Sequence, residues 1–318
     1  MPRKYGYIDP LLSNLAVDYS KKVREGLVGS FIFPRIPVTK PSGKFATFDK
    51  EAAFKVPDTT MAGERSQARE YTVSAKTKQY ATTPHGLKSF IDSDDLEFMD
   101  GPFKTWEKQK AELLVSKLEL SQEKRIADKV LNLPGRSTTL SGTGNAKTNK
   151  ISNAGGDPYE AIKDAIAKLF FRPNLMIFNE SIYDALEYHP KLIAKLGEAN
   201  LIKKVSEETL AKLFRIDRVM ISQGRADFGK QNNEGSVDPK NIWGDAIVLA
   251  HVSNEWDQPC AGKTLMLKYK EADNQGYVVR TWDEDDGGVL GGEYIQVAHN
   301  TDELVVCNDL IYTIKEAL

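Results

Sequence analysis

The sequence predicts an α+β protein, and three stretches predict it. Residues 103–133 contain neither Gly nor Pro and place Phe103, Trp106, Leu113, Leu114, Leu118, Ile126 and Val130 at near-helical spacing. Residues 155–252 alternate capped helices with short apolar runs, and residues 263–315 read mostly as strands. The first hundred positions carry the opposite signal, a lack of clustered apolar residues. A length of 318 residues allows one large domain or two ordinary ones, with a sizeable core in the last two thirds.

Taken in order, residues 1–91 are polar and punctuated. Between positions 40 and 90 the large apolar residues, among them Phe45, Phe54, Met61, Tyr71 and Tyr80, are separated by Lys, Arg, Thr, Ser and Glu. A stretch that cannot bury itself is disordered or packs on something else. Short alternations at 44–48 and 71–75 favour order, so the expected partner surface is another copy of the chain. Residues 27–38 form an apolar strap, in which Pro34 and Pro37 hold the preceding residues extended and remove two ladder donors. That excludes a central strand. No helix signal follows until residue 92, and structureless loops beyond about 12–15 residues are uncommon. A two-stranded excursion fits, and arms of about 20 residues at 3.3 Å each project roughly 65 Å.

Asp92-Ser93-Asp94-Asp95 offers helix caps, and Pro102 suits a first helical position. The helix over 103–133 ends at Pro134. Residues 134–156, rich in Gly, Ser, Thr and Asn, read as a loop and a boundary. Beyond it, Asp157-Pro158 caps a helix with Tyr159, Ile162, Ile166, Leu169 and Phe170 on one face, ended by Pro173. A short buried strand at 174–178 leads to a helix capped by Asn179, and Ser206-Glu207-Glu208 opens another to Phe214. Strands are expected at 216–222, 246–252, 263–270, 277–282, 294–298 and 303–315, with an exposed loop at 224–241.

Composition narrows the function. No run of eighteen apolar residues is present and the N-terminus lacks an apolar block, so a soluble cytoplasmic product is expected. A net charge of −2 argues against a dedicated nucleic-acid-binding protein. The charge is uneven: residues 1–50 hold nine Lys or Arg against four Asp or Glu, whereas residues 281–304 hold seven acids and no Lys or Arg. Such asymmetry can join one subunit to the next.

The search for chemistry finds no constellation. His85, His189, His251 and His299 stand singly, without metal-ligand spacing, and Cys260 and Cys307 read as free buried thiols. Residues 141–147 lack the spacing of a phosphate loop, and no GxSxG elbow is present. No catalytic residue, metal ligand or cofactor is expected. Asp283-Glu284-Asp285-Asp286 departs from the alternation of a calcium loop and reads as a solvated turn or a contact for a neighbour's basic residues. The expected inter-subunit contacts are Phe31, Phe33 and Arg35 of the strap, Arg65, Arg69 and Lys76 of the excursion, and the acids Asp283, Glu284, Asp285 and Asp286.

The order of parts resembles the major capsid proteins of tailed bacteriophages, with the Hong Kong 97-type fold. The resemblance rests on Tyr7-Ile8-Asp9-Pro10-Leu11-Leu12 with Leu15-Ala16, on the strap from Phe31 to Val38, on Ser42-Gly43-Lys44-Phe45 with Phe48-Asp49-Lys50, and on the long helix after Pro102. It covers nearly the whole chain through order more than through any one motif. It implies an N-terminal arm (1–40), an extended β loop overlapping a neighbour (41–90), and a peripheral domain with a spine helix (91–154). An α/β axial domain (155–270) and strands returning to the peripheral domain (271–318) complete it.

The implied function is self-assembly, as hexamers and pentamers, into the icosahedral head shell of a virion, formed in the host cytoplasm. The implied partners are scaffolding, portal and decoration proteins, with non-specific contact to packaged double-stranded DNA and no membrane. Because the arm starts almost at once, a separate scaffold is expected. Lys55, Lys76 and Lys78 do not carry the spacing for the covalent crosslink some members form. The nearest rival is an encapsulin-type compartment with a cargo groove, and an α/β enzyme is the more distant one.

Overall fold

The computed structural model describes residues 7–47, 56, 76–93, 104–142, 149–153, 155–196, 204–227, 238–255, 258–270, 276–284 and 291–318. In chain order the helices among them are α1 (Pro10–Arg24), α2 (Gly29–Ile32), α3 (Lys104–Leu131), α4 (Pro158–Ala167), α5 (Glu180–Glu187), α6 (Pro190–Leu196) and α7 (Glu207–Phe214). The strands are β1 (Tyr7–Ile8), β2 (Arg35–Val38), β3 (Ser42–Thr47), β4 (Lys76–Ala81), β5 (Thr83–Asp92), β6 (Ser137–Thr139), β7 (Leu175–Asn179), β8 (Arg218–Ser222), β9 (Arg225–Ala226) and β10 (Lys240–Asn241). Five more follow: β11 (Ile247–Ala250), β12 (Gly262–Leu267), β13 (Tyr277–Glu284), β14 (Gly292–Val305) and β15 (Ile311–Lys315). The α+β expectation holds.

Two sheets carry the fold. A five-stranded sheet runs β6-β15-β11-β7-β8. A six-stranded sheet runs β1-β13-β14-β12-β2, with β5 on the other edge of β14. The 28-residue helix α3, about 42 Å long at 1.5 Å per residue, joins them. Its first half sends Ala111, Leu114, Val115 and Leu118 onto Tyr277, Val279, Ile295 and Val297 of the six-stranded sheet. Its second half sends Ile126, Ala127 and Val130 onto Ile177 and Val248 of the five-stranded sheet. The other face of that second sheet is covered by α4 to α7 through Ile162, Ile182, Leu192 and Leu210.

The expected caps are present: the carboxylate of Asp157 accepts from Glu160 N at 3.2 Å, the Asn179 amide oxygen from Ile182 N at 2.8 Å and the Ser206 hydroxyl from Thr209 N at 3.3 Å. Phe170 departs from its helix: α4 ends at Ala167, and Phe170 is 42% exposed instead of sharing the buried face. Helix α6 was not expected.

For the described residues among the first hundred, the coreless reading is corrected. Asp9 caps α1 with the same Asp-Pro start as α4, accepting from Leu12 N at 3.0 Å, and Leu12 and Ala16 are buried against α3 and β13. The strap folds inward too: Ile32 and Phe33 are fully buried, and β2 runs parallel to β12 at the sheet edge, where a proline-bearing strand is tolerated. Strand β5 pairs with ten residues of β14. Hairpin β3–β4 is rooted on the same sheet, with Phe45 packed on Val38, Leu265 and Val306. The alternation at 71–75 lies outside the described residues.

Within 134–156, β6 pairs in parallel with β15, and Leu140 and Ile151 are buried. Strand β12 belongs to the six-stranded sheet and β15 to the five-stranded one, so the chain crosses between layers after β11 and again after β14. Apolar alternation alone does not say which of two sheets receives a strand.

Candidate functional site

At the centre of α3 the apolar stripe is broken by Glu119, Gln122 and Glu123, which are 2%, 2% and 3% exposed. Spacings of three and four residues put them on one face, and that face meets the strap. Helix α2 has no side-chain cap of its own. Glu123 supplies one from 94 residues away: Val28 N donates to Oε1 at 3.0 Å and Gly29 N to Oε2 at 2.8 Å. Trp243 Nε1 donates to the same carboxylate at 2.6 Å, tying in the loop before β11. Burial pushes the Glu123 carboxyl above its usual range, and these donors pull it back in part.

Glu119 completes the cluster. Its Oε1 accepts from the Tyr277 hydroxyl at 2.7 Å and its Oε2 from Arg35 Nη2 at 2.5 Å, while Arg35 also donates to Gln122 Oε1. Burial alone would lower Arg35; Tyr277 and Glu119 outweigh it and raise it. Burial raises the Tyr277 phenol, with Glu119 adding to it. A second ion pair lies nearby, where Arg125 Nη2 donates to Glu303 Oε1 at 2.9 Å and Thr301 Oγ1 to the same oxygen at 2.9 Å. Burial would raise the Glu303 carboxyl, yet Arg125 holds it low.

Beside Tyr277, His299 is fully buried and both of its ring nitrogens lack a hydrogen-bond partner. It faces His85 edge-on at 5.7 Å, and burial followed by Arg35 holds it well below the ordinary histidine range. Among the described residues no group of three His, Cys, Asp or Glu is placed to hold a metal ion. What this interior does is mechanical: it joins strap, long helix and both sheets through buried polar bonds.

The expected contact residues divide. Phe33 is in the core, against Gly262, where a Cβ would sit 2.2 Å from its ring. Arg35 is committed to Glu119 and Gln122. Within the single chain, both strap residues are engaged by their own subunit. Phe31 stays part-exposed at a cleft of ≈ 780 Å³ between strap and five-stranded sheet, with the Arg218 guanidinium 5.4 Å over its ring. Lys76 begins β4 opposite Thr47. Asp283 and Glu284 end β13 opposite Glu293 and Gly292. Burial, then Glu107 and Asp283, push the Glu293 carboxyl up to about 7. Arg65, Arg69, Asp285 and Asp286 lie outside the described residues. Sequence reasoning missed Glu119, Glu123 and Trp243 and gives His299 only as a lone histidine; the signal for the first two is a pair of acids at i and i+4 between Leu118 and Ile126.

This architecture, a long helix spanning a strap-edged sheet and an α/β layer, is the Hong Kong 97-type fold of capsid proteins. The chain is 24% identical over 319 residues to the major capsid protein of Pseudomonas phage JBD67, covering 98% of this chain and 97% of that protein. A phage-related protein of Bordetella bronchiseptica RB50 superposes with a TM-score of 0.71 at 20% identity, covering 99% of both chains. The capsid of cyanophage P-SCSP1u gives 0.55 at 11% identity over 89% of this chain and 86% of the other. The SrpI encapsulin of Synechococcus elongatus PCC 7942 gives 0.54 at 11% over 89% and 85%. No family model matches the chain. No helix among the described residues is long and apolar enough to cross a membrane.

Proposed function

We propose that the chain is a major capsid protein that self-assembles into the icosahedral head shell of a phage and has a structural role. The observation that carries this is the end-to-end likeness to a phage major capsid protein, 98% of the chain in one alignment, on a fold shared with capsid structures. In this reading the shell is built of hexamers and pentamers and encloses double-stranded DNA without sequence-specific contacts. Scaffolding, portal and decoration proteins complete it, and assembly takes place in the host cytoplasm.

Hairpin β3–β4 and the residues it carries are the part that leaves the subunit. Association costs on the order of 4–15 kcal/mol in lost freedom, and segments laid on neighbours spread the compensating burial over several partners. Arg65, Arg69 and Lys76 of one copy are then natural counter-charges for Asp283 to Asp286 of another.

Electron microscopy of the purified, overexpressed protein tests the reading. Closed shells or capsomer rings are expected; a compact monomer with turnover of a small substrate overturns it. The likeness to an encapsulin supports a second reading, a cargo compartment. Nuclease-protected DNA in particles from phage-producing cells selects the virion, and a co-purifying protein cargo selects the compartment.

A further inference from the structure

Two donors of the polar interior find no acceptor within the chain. Arg35 directs Nη2 at both Glu119 Oε2 and Gln122 Oε1, yet its Nε–H meets no acceptor, and neither does the Nε2 amide of Gln122. Both atoms are shut away from solvent. Buried N–H groups in folded proteins nearly always donate to protein or to ordered water, because a bare one keeps the full cost of its desolvation. The two side chains line one cavity of ≈ 10 Å³, and Arg24, Ser30, Glu119 and Glu123 supply the rest of its polar wall.

Size limits the occupant first. About 10–15 Å³ is the room of one water molecule and excludes an organic group or a hydrated ion. Charge limits it next. Two guanidinium groups and two carboxylates face the space, so an anion would lie against Glu119 and Glu123 and a cation against Arg24 and Arg35. A metal ion is further excluded because a guanidinium N–H and an amide N–H offer hydrogens and no lone pair. What fits is a neutral molecule that accepts on one side and donates on the other.

Acceptors stand opposite the two donors. Glu123 Oε2 receives Gly29 N at 2.8 Å, and a carboxylate oxygen has room for a second donor. The Ser30 hydroxyl and the Glu119 carboxylate line the same wall. We propose that this cavity holds a single ordered water molecule, which accepts from Arg35 Nε and Gln122 Nε2 and donates towards the carboxylates of Glu119 and Glu123. It has the two to four polar partners, roughly, that a buried water requires. Glu123 grips the backbone of the strap at Val28 and Gly29, and Glu119 grips its side chain at Arg35. The water links these two grips, so α3 holds the strap as one connected network.

A crystal structure of the full-length protein, at a resolution that shows ordered water, tests the site. One rounded peak of near-full occupancy is expected within roughly 2.7–3.2 Å of both Arg35 Nε and Gln122 Nε2. No peak, or a peak in reach of only one donor, overturns the assignment. Crystals grown in bromide separate water from a halide: no anomalous signal is expected at the site, and a signal there assigns it to an anion and overturns the water. Gln122→Met keeps the reach of the side chain and removes the amide, so the peak is expected to be lost; a peak of unchanged height overturns the part given to Gln122. As a measurement that needs neither crystals nor a variant, magic-angle-spinning spectra of sedimented wild-type protein with isotopically labelled arginine are expected to show a dipolar cross-peak from Arg35 Nε–H to water. Its absence overturns the site.

Discussion

Glu123 and Trp243, 120 residues apart, are joined by a 2.6 Å hydrogen bond from the indole to the carboxylate that also caps α2. Replacing Glu123 by Ala leaves two backbone donors and an indole N–H buried without an acceptor, at about 1–3 kcal/mol each before relaxation. Glu123→Ala is expected to lower stability by roughly 3 kcal/mol or more and Glu123→Gln by less, because one acceptor oxygen remains. Urea unfolding checks the order; equal losses would mean the carboxylate is not acting as a shared acceptor.

Phe33 and Gly262 form a tight pair. Gly262→Ala forces a methyl group into the Phe33 ring and is expected to cost about 1–3 kcal/mol. Phe33→Leu should relieve part of it, so the double variant loses less than the sum of the singles. A strictly additive cycle would show that the ring moves aside freely.

His299 makes stability fall on the acid side. Its pKa is lowered in the fold, so above about pH 6.5 both states hold it neutral and it contributes nothing to the slope. Below that the unfolded chain takes up a proton that the folded one refuses, and stability falls by up to ~1.4 kcal/mol per pH unit. His299→Phe is expected to flatten this limb, measured as the difference between variant and wild type from pH 7.5 to 5.

Glu293 acts in the other direction. Its pKa is raised to about 7 by burial, with Glu107 and Asp283 adding to it, so the folded chain keeps a proton that the unfolded chain releases near 4.5. Its stabilising effect is full below 4.5 and is lost as pH rises to about 7. Glu293→Gln is therefore expected to gain on wild type progressively across that window. A difference that stays level with pH would dismiss the raised pKa of Glu293.

Replacing residues 48–75 by a two-residue Asn-Gly turn leaves β3, β4 and β5 intact. The product is expected to be folded and monomeric, with native circular dichroism and no particles by light scattering. Particles of normal size would refute the role given to the segment.

Much of the fold was legible because local signals agree with the final structure. The caps at Asp157, Asn179 and Ser206 and the unbroken run through α3 each specify an element without help from distant residues. Helix α1 carries the same Asp-Pro start as α4, but the polar stretch around it hides that local signal. The strap shows the deeper limit. Ile32 and Phe33 are core residues only because Gly262, Ile126 and Val130 come to meet them, and no local pattern records a partner more than 90 residues away. The same holds for the site: adjacent acids on a helix announce a solvated face unless the donors of Val28, Gly29 and Trp243 are known.

Helix α3 binds one sheet with its first half and the other with its second, and the buried carboxylates lie near the changeover. Any tilt of one layer relative to the other therefore bends this helix close to Glu119 and Glu123, together with the strap and the strands that cross between the layers. Flexing of that rod bears directly on the acceptor that holds the strap.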